Sequence, residues 1–316
     1  MSGAGVPYRY LSVHRSFLRD RVRNETYRRA IFAAVQPGDV VLDVGAGTGI
    51  LSVFAAQAGA KRVYAVERTR MANLARQIVK ANAVEDCVKV IRGDIQTATL
   101  PERVDVIVSE WLGGYGVDEN MLPLVILARD RWLKRGGTML PERVSAWMAP
   151  AWDKDFAYGT AFLRRRPFAL NLDPVLEATA HEFGACQHHI TEGSLVAAPQ
   201  PMWTTDLYRC AVAEARGPFR ASRSFRVERD ARVNVLAAWF RAEFPGDTVL
   251  TNAPGAPRTH WGRYVFPLQP PVPVGRARKI AVEFTCAPAG LGHCHQAWSV
   301  RVGDAPWQRH DTREGY

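Results

Sequence analysis

Two glutamates, Glu110 and Glu119, stand nine positions apart in the segment SEWLGGYGVDENML, residues 109–122. Three glycines lie between them, and the segment contains no histidine or cysteine that would suggest a metal. Ionised carboxylates only accept hydrogen bonds, so the pair needs a donor or a cation to act upon. Taken alone, such a pair is best interpreted as two solvated loop side chains. Evidence for chemistry must come from the rest of the chain.

A glycine-rich segment, VLDVGAGTGIL at residues 41–51, forms a second candidate site. Its glycines are Gly45, Gly47 and Gly49, and glycine lets the backbone turn sharply and approach a ligand closely. Asp43 precedes them, and Glu67 ends the next apolar run, where a carboxylate can bond a ribose diol. The GxGxG spacing suits a dinucleotide less well than a nucleoside cofactor of the S-adenosylmethionine type. A turn that needs small residues for packing and a nicotinamide or flavin enzyme are the alternatives.

Both candidate segments directly follow predicted strands. Apolar runs that predict strands occupy residues 40–45, 61–67, 88–94 and 104–110, and helical patterns separate them. This alternation predicts a parallel, doubly wound sheet. An amphipathic pattern over 17–35 predicts one helix before it.

The second half of the chain has a different pattern. From about residue 142, strand-like stretches separated by prolines predict an antiparallel β domain. Within it, residues 162–192 combine aromatics, helical spacing and a basic run, which suggests a lobe or dimer contact. The predicted organisation is a helical segment at 1–36, a cofactor domain at 37–141 and a β domain at 142–316.

Composition and charge narrow the class of protein. The chain has 316 residues, 47% of them hydrophobic and 23% charged, which is ordinary for a globular protein. Its apolar runs are too short to span a bilayer. The five cysteines are scattered without a CxxC pair, which predicts a reducing cytoplasm. The net charge of +10 invites a nucleic-acid partner, but the basic residues are dispersed, so that main function is disfavoured.

Four segments together resemble the protein arginine methyltransferases, a family of class I S-adenosylmethionine-dependent enzymes. VLDVGAGTGIL, VYAVE, SEWLGGYGVDENML and RTHWGRYVF occur in that family's order and spacing, and the resemblance begins near Tyr8. The implied fold is an α/β Rossmann-like methyltransferase domain followed by an antiparallel β-barrel-like domain with a helical dimerisation arm. The implied cofactor is S-adenosyl-L-methionine, and the implied assembly is a homodimer.

The resemblance gives the two glutamates a chemical task. An arginine guanidinium is always protonated and has no free lone pair. Two carboxylates that hold it by charge-assisted bonds draw its charge toward the held nitrogens and leave the third aimed at a methyl sulfonium. The resemblance therefore assigns Glu110, Glu119 and His260 to catalysis, with His260 paired to Asp20 and relaying the lost proton.

The same resemblance assigns the other site residues. Those expected to bind the cofactor are His14, Arg23, Asp43, Gly45, Gly47, Gly49, Glu67, Asp94, Ile95 and Gln96, with Arg23 on the methionine carboxylate. Those expected to bind the substrate are Tyr8, Phe17, Glu110, Glu119, Met121, His260 and Trp261. No metal is expected, since His293 and His295 lack a third ligand.

Three departures from the family bear on the substrate and product. Ala4 stands where a further tyrosine is usual, and the glycines before Glu119 suggest a more mobile or differently shaped rim. Because a +10 enzyme repels basic peptides, free L-arginine is the favoured substrate, as in bacterial natural-product pathways such as that to streptozotocin. Peptide arginine and a non-catalytic dimeric or RNA-binding module are the alternatives. Phe17, where many relatives carry methionine, predicts ω-monomethylarginine as the product.

Overall fold

The computed structural model describes residues 10–185, 187–290 and 292–314. Its first half contains a five-stranded parallel sheet in the order β3-β2-β1-β4-β5. The strands are β1 Val40–Val44, β2 Arg62–Glu67, β3 Val88–Arg92, β4 Val104–Val108 and β5 Leu133–Leu140. The connecting helices are α3 Ile50–Gln57, α4 Met71–Ala81 and α5 Leu122–Trp132. The strand order reverses between β1 and β4, and ligands bind at such a switch point in open α/β sheets.

Two helices, α1 Leu11–Arg19 and α2 Arg21–Ala34, precede the sheet where the sequence pattern predicts one. The break is at Asp20, whose backbone is extended and whose side chain accepts a hydrogen bond from the backbone N–H of Arg23. Aspartate is a strong N-cap because it satisfies a donor at the helix start. The helical pattern predicted over 17–35 is therefore present but interrupted at Asp20, and the cap turns α1 back across the sheet edge that holds the glycines.

The second half consists of two antiparallel sheets, which confirms the predicted fold class. Its strands are β6 Arg143–Ala151, β7 Gln200–Asp206, β8 Phe219–Arg226, β9 Ala231–Glu243, β10 Val249–Thr251, β11 Tyr264–Val274, β12 Lys279–Gly290, β13 His293–Val302 and β14 Gln308–Asp311. One sheet has the order β10-β9-β6-β7 with β11 also on β9, and the other has the order β14-β13-β12-β8. Buried aromatics, among them Phe225, Phe266, Phe284 and Trp298, form the core of this half. The predicted boundary after residue 141 falls between β5 and β6.

A helical excursion leaves the β domain between β6 and β7. It comprises α6 Lys154–Arg164, a 3₁₀ turn at Pro167–Ala169 and α7 Asp173–Thr179, so it begins eight residues before the predicted arm. A short helix, α8 Val212–Ala215, follows β7. Several large apolar side chains of the excursion are exposed, namely Tyr158, Phe162, Phe168, Leu170 and Val175. Among the described residues, no helix combines the length and apolar character needed to cross a bilayer.

Candidate active site

One cavity lies where the carboxyl ends of β1, β2 and β4 meet. Its space, counting the open mouth, is about 1230 Å³. The expected residues that line it are His14, Phe17, Arg23, Gly45, Gly47, Glu67, Asp94, Ile95, Glu110, Glu119, Met121 and Trp261. The structure thus gathers residues from α1, α2, three strand ends and the loop before β11 around one space.

The glycine turn after β1 forms the floor of the cavity. Gly45 and Gly47 have φ of +75° and +55°, a left-handed conformation that glycine adopts without steric cost. A side chain at Gly47 would also approach the His14 ring to 3.1 Å. The Glu67 carboxylate holds this turn, because its two oxygens accept bonds from the backbone N–H groups of Gly47 and Thr69 at 2.9 and 2.7 Å. Each oxygen keeps capacity to accept a further bond from a ligand hydroxyl.

Four expected residues lie away from the cavity lining. Asp43 is buried beneath the glycine turn, where its Oδ2 accepts a 2.6 Å bond from the Ser52 hydroxyl and Oδ1 has no partner among the described atoms. Burial raises its pKa to about 7. Gly49 packs on Ala75, and Gln96 is exposed beyond Asp94. The fourth is His260. Tyr8 lies outside the described residues.

Glu110 follows β4 and holds a guanidinium. Its Oε2 accepts hydrogen bonds from both Nε and Nη2 of Arg23, at 3.1 and 2.9 Å, while Oε1 accepts one from the backbone of Leu112 at 3.1 Å. The Arg23 and Glu110 side chains are only 7% and 11% exposed, so solvent screens this pair weakly. Arg23 also donates from Nη1 to Asn24. Of its five N–H donors, two remain for another acceptor.

The loop between the two glutamates is packed, and its residues 111–117 are all buried. A side chain at Gly114 would lie 1.6 Å from the Tyr264 ring. The half-buried Asp118 carboxylate accepts bonds from the backbone N–H groups of Gly114 and Tyr115, and desolvation raises its pKa. Close packing is therefore a reason for glycine here, and the expected difference in mobility or shape of the rim stays a prediction.

The tip of the β12–β13 hairpin supports Glu119. The backbone N–H of Gly292 donates to the Glu119 carbonyl at 2.9 Å, and the Asn120 side chain donates to the Gly290 carbonyl at 2.9 Å. Asn120 has a φ of +51°, which asparagine tolerates better than most residues. The Glu119 side chain faces the same cavity as Glu110. A segment from the far end of the chain thus positions the backbone that carries the second carboxylate.

His260 pairs with Asp20, as expected. Its backbone N–H and its Nδ1 both lie 2.8 Å from Asp20 Oδ2. Burial alone would raise the pKa of Asp20, but the bonds from His260 and from the Arg23 backbone hold it below its ordinary value. The His260 ring contacts Phe17 and Trp261, which do line the cavity, at centroid distances of 4.7 and 3.9 Å.

Known proteins share both the sequence and the fold. Residues 147–299 match the arginine methyltransferase oligomerization subdomain, and residues 11–115 match the TRM5/TYW2 methyltransferase domain. Protein arginine N-methyltransferase PRMT10 of Oryza sativa subsp. japonica is 35% identical over 90% of this chain and 83% of its own length. Protein arginine N-methyltransferase 6 of Xenopus tropicalis is 35% identical over 91% and 87%.

The chain belongs to the protein arginine methyltransferase family. Two solved structures agree with this arginine methyltransferase along almost its whole length. The Trypanosoma brucei PRMT1 enzyme-prozyme complex with AdoHcy has a TM-score of 0.88 and 26% identity, covering 97% of this chain and 99% of that one. Arabidopsis thaliana protein arginine methyltransferase 10 has a TM-score of 0.82 and 29% identity, covering 96% and 99%.

This arginine methyltransferase depends on S-adenosylmethionine, and its cavity suits that molecule. The positive-φ turn leaves room above Gly45 and Gly47, and the nearly buried Glu67 can accept bonds from a ribose diol. The remaining N–H groups of Arg23 can hold a carboxylate. Glu67 as an acceptor and Arg23 as a donor therefore match the ribose hydroxyls and the carboxylate of the cofactor.

Other parts of the methyltransferase site were not predicted from the sequence. The unexpected lining residues are Leu18, Val44, Ala46, Thr48, Ile50, Leu51, Val66, Arg68, Thr69, Gly93, Leu124 and Gly292. Most of them flank predicted strand ends, so the sequence could have predicted that they line the cavity. Gly292 is different, because it reaches the cavity from a hairpin far along the chain.

Proposed function

We propose that this methyltransferase acts on arginine side chains within proteins or peptides. The naming of the relatives supports this: proteins 35% identical over about nine-tenths of the chain are protein arginine N-methyltransferases. The free L-arginine expected from the net charge, and with it a bacterial secondary-metabolite pathway, finds no support among them. The cytoplasmic location also stays a prediction.

Net charge is a weak guide to the substrate. The +10 charge acts on approach through solvent, where the Debye length is about 8 Å at physiological ionic strength. It changes association rates more than it changes which group fits the cavity. A basic peptide can therefore still bind where its arginine reaches the carboxylates.

The observation that carries the proposed chemistry is the Arg23–Glu110 contact. The cavity already contains a carboxylate that accepts two N–H donors from a planar guanidinium. A substrate guanidinium bound between Glu110 and Glu119 would be held on two nitrogens, with its charge drawn toward them. Its third nitrogen then becomes the nucleophile, aimed by the geometry of the other two.

Arg23 and the two glutamates have further roles in binding the cofactor and in accepting the proton. Bound S-adenosylmethionine supplies the methyl group as an electrophile. Arg23 orients Glu110 and keeps two N–H groups for the cofactor carboxylate. The transferred methyl group replaces one N–H proton of the substrate, and a carboxylate of the pair accepts that proton before solvent takes it.

His260 has a positioning role in this proposal. It binds one oxygen of Asp20, and the other oxygen caps α2 at the backbone of Arg23. The loop that contains His260 and Trp261 is thereby connected to the arginine that contacts Glu110. The expected role in proton relay stays a prediction, since Phe17 and Trp261 line the cavity and His260 lies beside them.

A competition experiment tests the substrate class. The enzyme is incubated with isotope-labelled cofactor, free L-arginine and an arginine-containing peptide at equal concentration, and both products are measured by mass spectrometry. We expect label mainly in the peptide. Label confined to free arginine would contradict the proposal, and an equal peptide with lysine in place of arginine controls for other acceptors.

We also propose a homodimer that forms through the helical excursion at residues 154–179. The match of residues 147–299 to an oligomerization subdomain supports it, as do the exposed Tyr158, Phe162 and Phe168. Replacing Phe162 and Phe168 by serine should give a monomer by light scattering. A fully active natural monomer at micromolar concentration would contradict the proposal.

A further inference from the structure

The outer face of the sheet β14-β13-β12-β8 presents a group of exposed cations. Arg220, Arg226, Lys279, Arg301 and Arg309 make up this basic face, and all five are exposed. The strand registers place them on one side, with Arg226 opposite Lys279, Arg301 opposite Ala281, and Arg309 opposite Ser299. Their neighbours along the strands, such as Phe225, Ile280 and Val300, point inward and are buried.

These cations have few counter-charges. None of the five forms a salt bridge within the residues that the structure describes. The same face carries the carboxylates of Glu283, opposite Ser222, and Asp311, which is bound by Arg313. The face is therefore strongly positive and complementary to an acidic ligand.

The rest of the basic face is low in relief. Apart from Glu283, the positions between the cations carry small side chains, namely Ser222, Ser224, Ala281, Thr285, Ala297 and Ser299. An extended chain could therefore approach the sheet closely and bring its own side chains to the arginines. Four of the five cations are arginines, which bind carboxylates through two parallel N–H donors.

The strand β12 connects this face to the cavity. At one end, Gly290 and Gly292 bond the loop that carries Glu119. Thr285, which pairs with Arg220, precedes Gly290 by five residues, and Lys279 precedes it by eleven. At about 3.4 Å per residue, the basic face extends from about 17 to about 37 Å from the hairpin tip.

We propose that the basic face binds an acidic segment of the protein substrate, at a distance from the arginine that is methylated. This inference rests on the proposed protein substrate. A chain extended at about 3.4 Å per residue must place its acidic segment at least about five residues from the target arginine. The acidic segment offsets the repulsion between the +10 enzyme and a basic target sequence.

A nucleic acid fits this face less well. Sheets that bind single strands offer exposed aromatic rings on which bases stack. Here the positions between the cations are serine, alanine and threonine, with one glutamate, Glu283, and Trp307, which lies under Arg301 at 4.8 Å, is half-buried. A substrate segment linked to the target arginine also gains from being tethered at the cavity.

The test uses peptides with one arginine, a neutral spacer and about six glutamates, matched to peptides with glutamines. The short spacer has about two residues and the long spacer about ten. The short one is below, and the long one above, the minimum of about five residues that an extended chain needs to reach the basic face. We expect the long-spacer glutamate peptide to have a KM about ten-fold below its glutamine match in low salt, with kcat unchanged. High salt should remove the difference, and the short-spacer pair should show none.

Two variants with the same loss of charge locate the effect. The face variant combines Arg226→Gln, Lys279→Gln, Arg301→Gln and Arg309→Gln, and it should lose the KM difference. The control variant combines Lys61→Gln, Lys80→Gln, Lys89→Gln and Arg135→Gln, which are exposed elsewhere, and it should keep the difference. Equal KM values for the two long-spacer peptides, or an equal loss in both variants, would overturn the inference.

Direct binding separates this inference from the proposed function. Fluorescence anisotropy of the labelled long-spacer peptides measures affinity without turnover. Tighter binding of the glutamate peptide, lost in the face variant, supports the inference even if no peptide is methylated, an outcome that would contradict only the proposed function. The natural enzyme could instead bind a labelled single-stranded oligonucleotide and show no preference for the glutamate peptide. If the face variant then lost the oligonucleotide binding, the inference would be overturned in favour of a nucleic acid.

Discussion

Arg23 donates from Nε and Nη2 to a single carboxylate oxygen of Glu110, at 3.1 and 2.9 Å, although 87 positions separate the two residues. The contact joins the capped start of α2 to the end of β4 inside a nearly buried cavity. It places a guanidinium on the carboxylate that is expected to bind the guanidinium of the substrate. Arg23 thus both orients Glu110 and shows the kind of partner that Glu110 accepts.

The buried Asp43 should make stability depend on pH. Burial raises its pKa from 3.8 to about 7, so the folded state binds a proton that the unfolded state releases between about pH 4 and pH 7. Stability contributed by the neutral carboxyl is present at low pH and is lost as pH rises through this window. Asp43→Asn is always neutral and can still accept from Ser52. The free energy of unfolding of Asp43→Asn, measured in urea, should therefore rise relative to that of the natural enzyme as the pH increases from about 4 to about 7.

The comparison needs a control for other titrating groups. An exposed carboxyl that does not line the cavity, changed as Asp304→Asn, should follow the pH dependence of the natural enzyme. If the curves of unfolding free energy against pH for Asp43→Asn and the natural enzyme stay parallel between about pH 4 and pH 7, the raised pKa of Asp43 is refuted.

Gly114 should tolerate no side chain. In Gly114→Ala the new carbon would lie 1.6 Å from the Tyr264 ring, and the loop that carries both glutamates would have to shift. Overpacking of this kind costs about 1–3 kcal/mol, and we expect that loss in unfolding experiments together with most of the activity. Gly193→Ala is the matched control, because this exposed glycine lies outside the cavity and the excursion and its new carbon would meet only the Thr191 hydroxyl, at 3.8 Å. Equal stability of the two variants would contradict the packed-loop account.

The sequence predicted the site residues that lie at strand ends or at a characteristic local spacing. Glu67 and Glu110 follow apolar strands, and the carboxyl ends of such strands share one edge of a parallel sheet. The sequence could not indicate the cap at Asp20, since the competing helical pattern continues through it. Nor could it indicate the contact of Gly292 with Glu119, because that contact depends on how a distant hairpin packs. Nor could the sequence indicate that Gly114 packs against the Tyr264 ring, because glycine is compatible both with an open rim and with close packing.

Phe17 should limit the number of methyl groups added. Its ring lines the cavity, packs on His260 at 4.7 Å and lies 5.5 Å from the Arg23 guanidinium carbon. A rigid ring held on two sides leaves less room for a methylated guanidinium than a flexible methionine. The natural enzyme should therefore yield mainly ω-monomethylarginine, and Phe17→Met should raise the dimethylated fraction at long incubation. Abundant dimethylarginine from the natural enzyme would overturn the steric argument.

The carboxylate pair is the central claim, and one measurement tests it directly. Turnover of an arginine peptide and binding of the cofactor are measured separately for the natural enzyme, Glu110→Gln and Glu119→Gln, with the exposed Glu85→Gln, away from the cavity and the basic face, as the control. A neutral amide cannot draw the guanidinium charge, so each cavity variant should lose about 100-fold or more in kcat while still binding the cofactor. Near-natural turnover in either Glu110→Gln or Glu119→Gln would contradict the assignment of the pair to catalysis.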